Sequence, residues 1–329
     1  MSIEAIIKEI SDDITDVIGT QFSYATTSDV PNTSDPNLSY ERGKQKSGKI
    51  LNTCVLYVDI RNSVALNDTH KPITMGKIYT AFTKAVIKAA REHGGKTRNI
   101  IGDRVMIVFP KANCFQNAIK CAITINHIAK YILNAKFKGV DFKCGIGIDY
   151  GELKVIKVGI QRNGTEGPVN KGLVWAGFPA NIASRLTDMG NKTIKEVHYN
   201  VLRNPINPRA IRPYFYNTFP SYYPDYDPHA PLYLTTTEIV QMTEIEFLNS
   251  FSPYRDGTGY ITTDGKMISF NKVESDYTFP PILITEAVYK GLLSEVPKAP
   301  FAVNYWSEIK HRIKDVSGKV YGADMHWQF

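Results

Sequence analysis

Residues 96–109 read KTRNIIGDRVMIVF, two runs of strand-forming residues whose only separator is Gly102-Asp103. A Gly-Asp pair between such runs is a hairpin turn signal. Upstream, residues 53–60 (TCVLYVDI) read as a short strand buried on both faces, and residues 75–92 set Ile78, Tyr79, Phe82, Val86 and Ala90 on one helical face that stops at Gly94-Gly95. Downstream, residues 114–133 repeat the amphipathic pattern with Ala118, Ile119, Ala122, Ile123, Ile128 and Ile132. Residues 141–149 (DFKCGIGID) and 151–158 are strands again, and a third helix over 178–189 ends at Gly190. The order βαββαβ predicts an α+β, ferredoxin-like split βαβ fold.

Working outward, residues 1–20 place Ile3, Ile6, Ile7, Ile10, Ile14 and Ile18 at helical spacing with acids opposite, which predicts an amphipathic helix in need of a partner surface. Residues 21–50 turn to Ser, Thr, Asn and Pro and then to a mostly basic stretch without periodicity, the pattern of a flexible linker. The main domain is expected over 51–329. A Tyr/Pro-rich insertion at about 191–280, with a hairpin over 259–270 turning at Asp264-Gly265, interrupts it; periodicity resumes as a strand and helix over 281–293 and a closing strand over 319–329. Extended Tyr/Pro segments suit a rigid cover, and stacked aromatics also suit a base or a partner.

The 329 residues allow two domains or one with a large insertion, and 43% hydrophobic with 22% charged residues is the balance of an ordinary globular chain. Lys plus Arg (39) over Asp plus Glu (32) gives +7, spread too evenly to indicate nucleic acid but suited to a nucleotide. Acids and Lys8 interrupt the first thirty residues, and no apolar run reaches the roughly 20 residues of a membrane helix, so a cytoplasmic protein without a membrane partner is expected. Cys54, Cys114, Cys121 and Cys144 form no CxxC pair and read as small core residues; the seven histidines show no metal-ligand spacing.

Asp59 ends the first strand and Asp103 occupies the hairpin turn. Because the first and hairpin strands are neighbours in a βαββ unit, both carboxylates can meet at one rim of the sheet. There they would repel unless divalent cations lay between them, an arrangement suited to two-metal phosphoryl chemistry. Singly, each Asp suits a turn or a cap equally well. In NIASRL, Asn181 and Arg185 lie four apart on one helical face, where Arg can pair with a phosphate and Asn with a ribose oxygen.

Taken together, YVDIRNS, IIGDRVMIVF, CGIGIDYGEL, NIASRL and ILITEAVYKGL, in this order, resemble the class III nucleotidyl cyclases over residues 51–190 and again from 281. The resemblance implies that Asp59, the carbonyl of Ile60, and Asp103 bind two divalent cations, Mg²⁺ or Mn²⁺. It also implies that Arg185 steadies the transition state and Asn181 the ribose, both supplied by the opposite subunit of a homodimer with composite active sites. The turn Arg61-Asn62-Ser63 would offer N–H groups to the nucleoside triphosphate, and Lys314 or Lys319 would bind pyrophosphate, with Lys319 the residue preferred here. At the two positions that read the purine in this family, the chain has Asn99 and Val174. Asn99 can meet the N3/N4 edge of cytosine or, flipped, the N3/O4 edge of uracil, and Tyr57, Arg61 or Trp175 can fill the space of a second ring. Mid-length form and the YGADMHWQF ending look like the bacterial Pycsar antiphage pyrimidine cyclases. The function expected is therefore CTP to 3′,5′-cyclic CMP, with UTP to cyclic UMP as the alternative, the product being read by a separate effector protein. A purine cyclase and a non-catalytic nucleotide-binding dimerisation module are the remaining readings.

Overall fold

The computed structural model describes residues 2–162, 165–211, 224–252, 261–262 and 264–329. The chain forms α1 (Ile3–Gly19), β1 (Phe22–Thr26), β2 (Lys46–Ile60), α2 (Ser63–Thr69), α3 (Pro72–Glu92), β3 (Lys96–Ile101), β4 (Arg104–Val108) and α4 (Cys114–His127). A π-helical turn Ile128–Leu133, α5 (Asn134–Lys136), β5 (Cys144–Arg162), β6 (Thr165–Ala176) and α6 (Phe178–Met189) follow. The order of β5-β2-β4-β3, all antiparallel, is the fourth, first, third and second strand of the split βαβ motif that the hairpin signal predicted. β12 (Ile282–Thr285) joins β5 in parallel, and β14 (Val320–Ala323) and β13 (Ser307–Glu308) complete the sheet beyond it.

Strand alternation divides the sheet's contents. Cys54, Leu56, Val58 and Ile60 of β2 point to the face covered by α3, α4 and α8 (Glu286–Glu295), where the larger core lies. Leu51, Val55, Met106, Val108, Leu153, Val155 and Trp175 point to the other face, against Ala180 and Ala183 of α6. That helix lies almost on the backbone of β5. A methyl on Gly147 would meet Ala183 O at 2.2 Å and the Thr187 nitrogen at 2.5 Å, and one on Gly145 would meet Thr187 O at 2.4 Å. The CGIG run is what lets the helix approach.

Three expectations are corrected. Residues 21–50 are not a free linker. β1 pairs in parallel with Lys46–Ile50, Leu38 and Val30 are buried, and the buried Lys46 ammonium bonds Asp16 of α1 and the carbonyls of Glu41 and Lys44. The segment is held by backbone and polar bonds, which leave no hydrophobic period in a sequence. Second, 141–149 and 151–158 belong to one strand, since β2 pairs straight through Tyr150 and Gly151. Third, the insertion is a unit of its own, Thr193–Thr278, while the parent unit runs to Lys192 and resumes at Phe279. It contains β7 (Thr193–Pro205), β8 (Glu238–Thr243), α7 (Glu244–Asn249), β9 (Phe251–Ser252), β10 (Ile261–Thr262) and β11 (Gly265–Thr278), with Tyr199 stacked on Phe247 at 4.3 Å. The core of the Tyr/Pro stretch, 212–223, and the start of the expected hairpin at 259–260 lie outside the described residues. The isoleucines of α1 are exposed; Asp16, Asp12 and Asp13 on its other side reach Lys46 and Arg42.

Gly147→Ala should cost about 1–3 kcal/mol, because backbone rather than a yielding side chain meets the methyl. Thermal melting of Gly147→Ala against Gly172→Ala, where the methyl meets nothing within 4 Å, checks this. Asp149 of β5 accepts a 2.6 Å bond from Thr285, yet burial raises its carboxyl above the usual range. A raised native pKa stabilises at low pH and loses that contribution as pH rises through it. The difference in unfolding free energy between Asp149→Asn and its parent, read from denaturant melts, should therefore move in the variant's favour from pH 4 to pH 7, by roughly 1.4 kcal/mol per unit of pKa elevation.

Candidate active site

The end of β2 and the β3–β4 turn bring three oxygens together. Val58 pairs with Val105, so the same register continued sets Asp59 opposite Arg104 and Ile60 opposite Asp103. The turn itself needs Gly102 at φ +62°. On the other side of β2, Arg61 N–H donates to Lys143 O at 2.8 Å, and antiparallel alternation then points the Ile60 carbonyl away from β5 and toward the hairpin.

The two carboxylates are held in an unusual state. Burial pushes the Asp59 carboxyl above the usual range; Arg104 pulls against that, and the neighbouring Asp103 adds to it. Asp59 Oδ2 accepts from Arg104 Nε at 3.1 Å and Nη2 at 2.6 Å, whereas Asp59 Oδ1 and Asp103 Oδ2 are buried and no donor reaches them. Two carboxylate oxygens buried side by side without donors suit a hard divalent cation, and the Ile60 carbonyl supplies a third, neutral oxygen donor. The residues present fit such an ion. Among the described residues no cluster of three or more His, Cys, Asp and Glu side chains offers a competing centre.

Arg104 itself was not singled out by sequence reasoning. Besides Asp59, its guanidinium donates to Ser184 Oγ at 2.8 Å and to the Asp188 carboxylate, both on α6. Ser184 and Asp188 are four apart on one helical face, a spacing that was readable; which strand residue they would meet was not.

The Arg61-Asn62-Ser63 turn departs from expectation at its first residue. The Arg61 N–H is spent in the ladder, and its half-buried guanidinium lies against Gly145 and donates to Asp188 O at 3.0 Å. The turn's remaining N–H groups are those of Asn62 and Ser63, at the start of α2. On α6, Arg185 donates to Asp315 at 2.6 Å, and the exposed Asn181 lines a groove of about 580 Å³ with Tyr150, Glu152, Lys154 and Phe178. Neither bonds to the Asp59–Asp103 pair of its own chain. Lys319 pairs with Glu308 at 2.8 Å on the outer strands, while Lys314 adjoins Asp315, the acceptor of Arg185.

Asn99 and Val174 are not brought together. Asn99 pairs with Met106 across a bulge at Arg98, and Met106 with Tyr57, so the three share the face under α6. Val174 is 44% exposed on the opposite face of β6, because its neighbour Trp175 takes the inward position in the same cluster as Met106. Arg98 lies 5.8 Å over the Trp175 ring and donates to Val30 O. In LVWA, alternation lets only one of Val and Trp face in, and burial area favours Trp.

Residues 46–202 match the adenylate and guanylate cyclase catalytic domain. A uridylate cyclase from Burkholderia cepacia is 30% identical over 192 residues, covering 56% of this chain and 79% of that protein. A second, from Gulbenkiania mobilis, is 26% identical over 196 residues, 54% of this chain and 69% of that one. Among solved structures, the adenylyl cyclase CyaB from P. aeruginosa is similar over 84% of this chain and 95% of its own, at 12% identity and a TM-score of 0.45. With the carboxylate pair at the sheet rim and this extent of shared sequence, the chain belongs to the adenylate and guanylate cyclase catalytic domain family, the class III nucleotide cyclases.

Proposed function

We propose that this protein converts a pyrimidine ribonucleoside triphosphate, UTP ahead of CTP, to its 3′,5′-cyclic monophosphate and pyrophosphate, at composite sites of a homodimer. The observation that carries the reading is the pair of buried, donor-free oxygens on Asp59 and Asp103. The order of the two pyrimidines follows the relatives, each named a uridylate cyclase, and reverses the preference for CTP that rested on the resemblance to the Pycsar cyclases. Asn99 itself suits either base.

Asp59, Asp103 and the Ile60 carbonyl would hold the divalent cations that the family uses. Such ions supply Lewis-acid activation of the ribose 3′-hydroxyl and neutralise the triphosphate charge. The 3′-oxygen forms a bond to the α-phosphorus as the α–β bridging P–O bond breaks; the hydroxyl proton passes to solvent and pyrophosphate departs. Arg185 donates to the α-phosphoryl oxygens as charge builds on them, and Asn181 orients the ribose. Of the two candidate lysines, Lys314, the sequence neighbour of the Asp315 that accepts from Arg185, neutralises the leaving pyrophosphate. Arg185 is held off the Asp59–Asp103 pair in its own chain by Asp315, and that supports its service to a second copy. Asn99, only partly buried at the edge of the core under α6, meets the base edge; a purine leaves part of its polar edge unpaired there, at roughly 1–3 kcal/mol per buried group. The cyclic product would act through a separate effector, since nothing in this chemistry consumes it.

Equimolar ATP, GTP, CTP and UTP with Mn²⁺, resolved by mass spectrometry, should give mainly cyclic UMP. Mainly cyclic CMP reverses only the order of the pyrimidines, and mainly cyclic AMP or GMP overturns the reading. Tight binding without any cyclic product would instead favour a non-catalytic module. Asp59→Ala and Arg185→Ala chains, each expected to be inactive alone, should regain activity when mixed, because each heterodimer has one intact site. Lack of recovery in dimers shown to exchange would mean that Arg185 serves its own chain.

A further inference from the structure

The guanidinium of Arg104 is shared between two elements. From β4 it places Nε and Nη2 on one oxygen of Asp59, at 3.1 and 2.6 Å, and it is held from α6 by Ser184 Oγ at 2.8 Å and by the Asp188 carboxylate. The contact takes Oδ2 of Asp59 and leaves Oδ1 buried and without a donor, with the Asp103 carboxylate close by. A carboxylate on a single χ1–χ2 hinge has no other means of keeping one chosen oxygen toward a second anion, because repulsion from Asp103 would turn it away. Arg61, the other cation nearby, bonds the Asp188 backbone and not Asp59. The same helix presents Asn181 and Arg185 away from this contact, Arg185 toward Asp315.

We propose that Arg104 is a positioning residue for the cation site, which it ties to α6: by holding Oδ2 of Asp59 from Ser184 and Asp188, it sets the free oxygen that a divalent cation binds and fixes the helix bearing Asn181 and Arg185 relative to that oxygen. The inference deepens the cyclase reading and rests on its assignment of Asp59 and Asp103 to a cation. It makes a demand that simple electrostatics does not. A positive group beside a cation site repels the cation, so if Arg104 acted only through charge, its removal would tighten binding. If it acts by holding Asp59 still, removal weakens binding, and so does loss of Ser184, an uncharged residue that touches neither carboxylate.

The test is Mn²⁺ binding to the full-length protein without nucleotide, read from the electron paramagnetic resonance signal of free Mn²⁺. Arg104→Lys keeps the charge but lacks the fork that spans Asp59, Ser184 and Asp188; it should weaken Mn²⁺ binding by about tenfold, the usual scale for a group that orients a metal ligand. Ser184→Ala should weaken it by several-fold with no change of charge. Melting temperature, measured alongside, separates these effects from unfolding. Ser184→Thr, which retains the acceptor, should bind as the parent does. Where Arg104→Lys or Ser184→Ala melts early, Arg104→Gln takes its place, weakening binding if Arg104 positions Asp59 and tightening it if Arg104 acts only through charge. Mn²⁺ binding in Arg104→Lys and Ser184→Ala as tight as in the parent, or tighter, overturns the positioning role and leaves the cyclase reading intact. A parent protein that binds no Mn²⁺, or an Asp103→Asn variant that binds it unchanged, overturns both.

Discussion

Two carboxylates desolvated side by side constitute the constraint to which the rest of the molecule is fitted. Left alone they would repel, and burial makes the repulsion stronger by removing the water that would screen it. Each element near the rim answers to this. The Gly102 turn places Asp103 without a side chain in its own way, the β2–β4 register brings Asp59 alongside, and a guanidinium from the next residue in sequence takes up one oxygen of Asp59. That guanidinium needs partners of its own, which α6 supplies, and α6 reaches them only because β5 offers Gly145 and Gly147 where it crosses. A stretch that reads as two unrelated features, CGIG in a strand and NIASRLTD in a helix, is one packing contact.

The parts of the fold that were legible in the sequence are those in which burial leaves a period. The hairpin at Gly102-Asp103, the faces of α3 and α4, and the strands between them follow from apolar spacing and turn chemistry alone. Where polar bonds do the holding, spacing is silent. Residues 21–50 have the composition of a linker, yet Lys46 is buried on Asp16 and two carbonyls, and Lys49 on Asp35, contacts between residues that no periodic rule connects. The continuous β5 reads as two strands in the sequence, although paired neighbours on β2 carry it through Tyr150 and Gly151.

The candidate site shows the same division. Asp59 and Asp103 were legible as neighbours because one ends a strand and the other sits in a turn at the same rim; Ile60 came from the family resemblance alone. Arg104 was not legible, since its significance depends on which helix crosses above it. Val174 was matched by its distance from Asn181 along the chain, but strand alternation decides which of two neighbours faces in, and Trp175 has the greater area to bury. For Lys314 and Lys319 chain distance was equally uninformative, since neither closes an element at the rim.

The insertion leaves and rejoins the parent unit at a single place. Thr193 and Thr278 are cross-strand partners whose hydroxyls lie 2.9 Å apart, and just outside them Phe279 N–H donates to Lys192 O at 2.9 Å. The parent backbone is thus already stitched across the gap by a bond of its own, as though the segment were absent. An ancestral chain lacking it would need only a tight turn at this point, and one acquiring it would pay a loop-closure entropy that grows merely with the logarithm of length. Such a junction allows the length or sequence of the segment to change without altering the backbone path of the parent unit on either side of it.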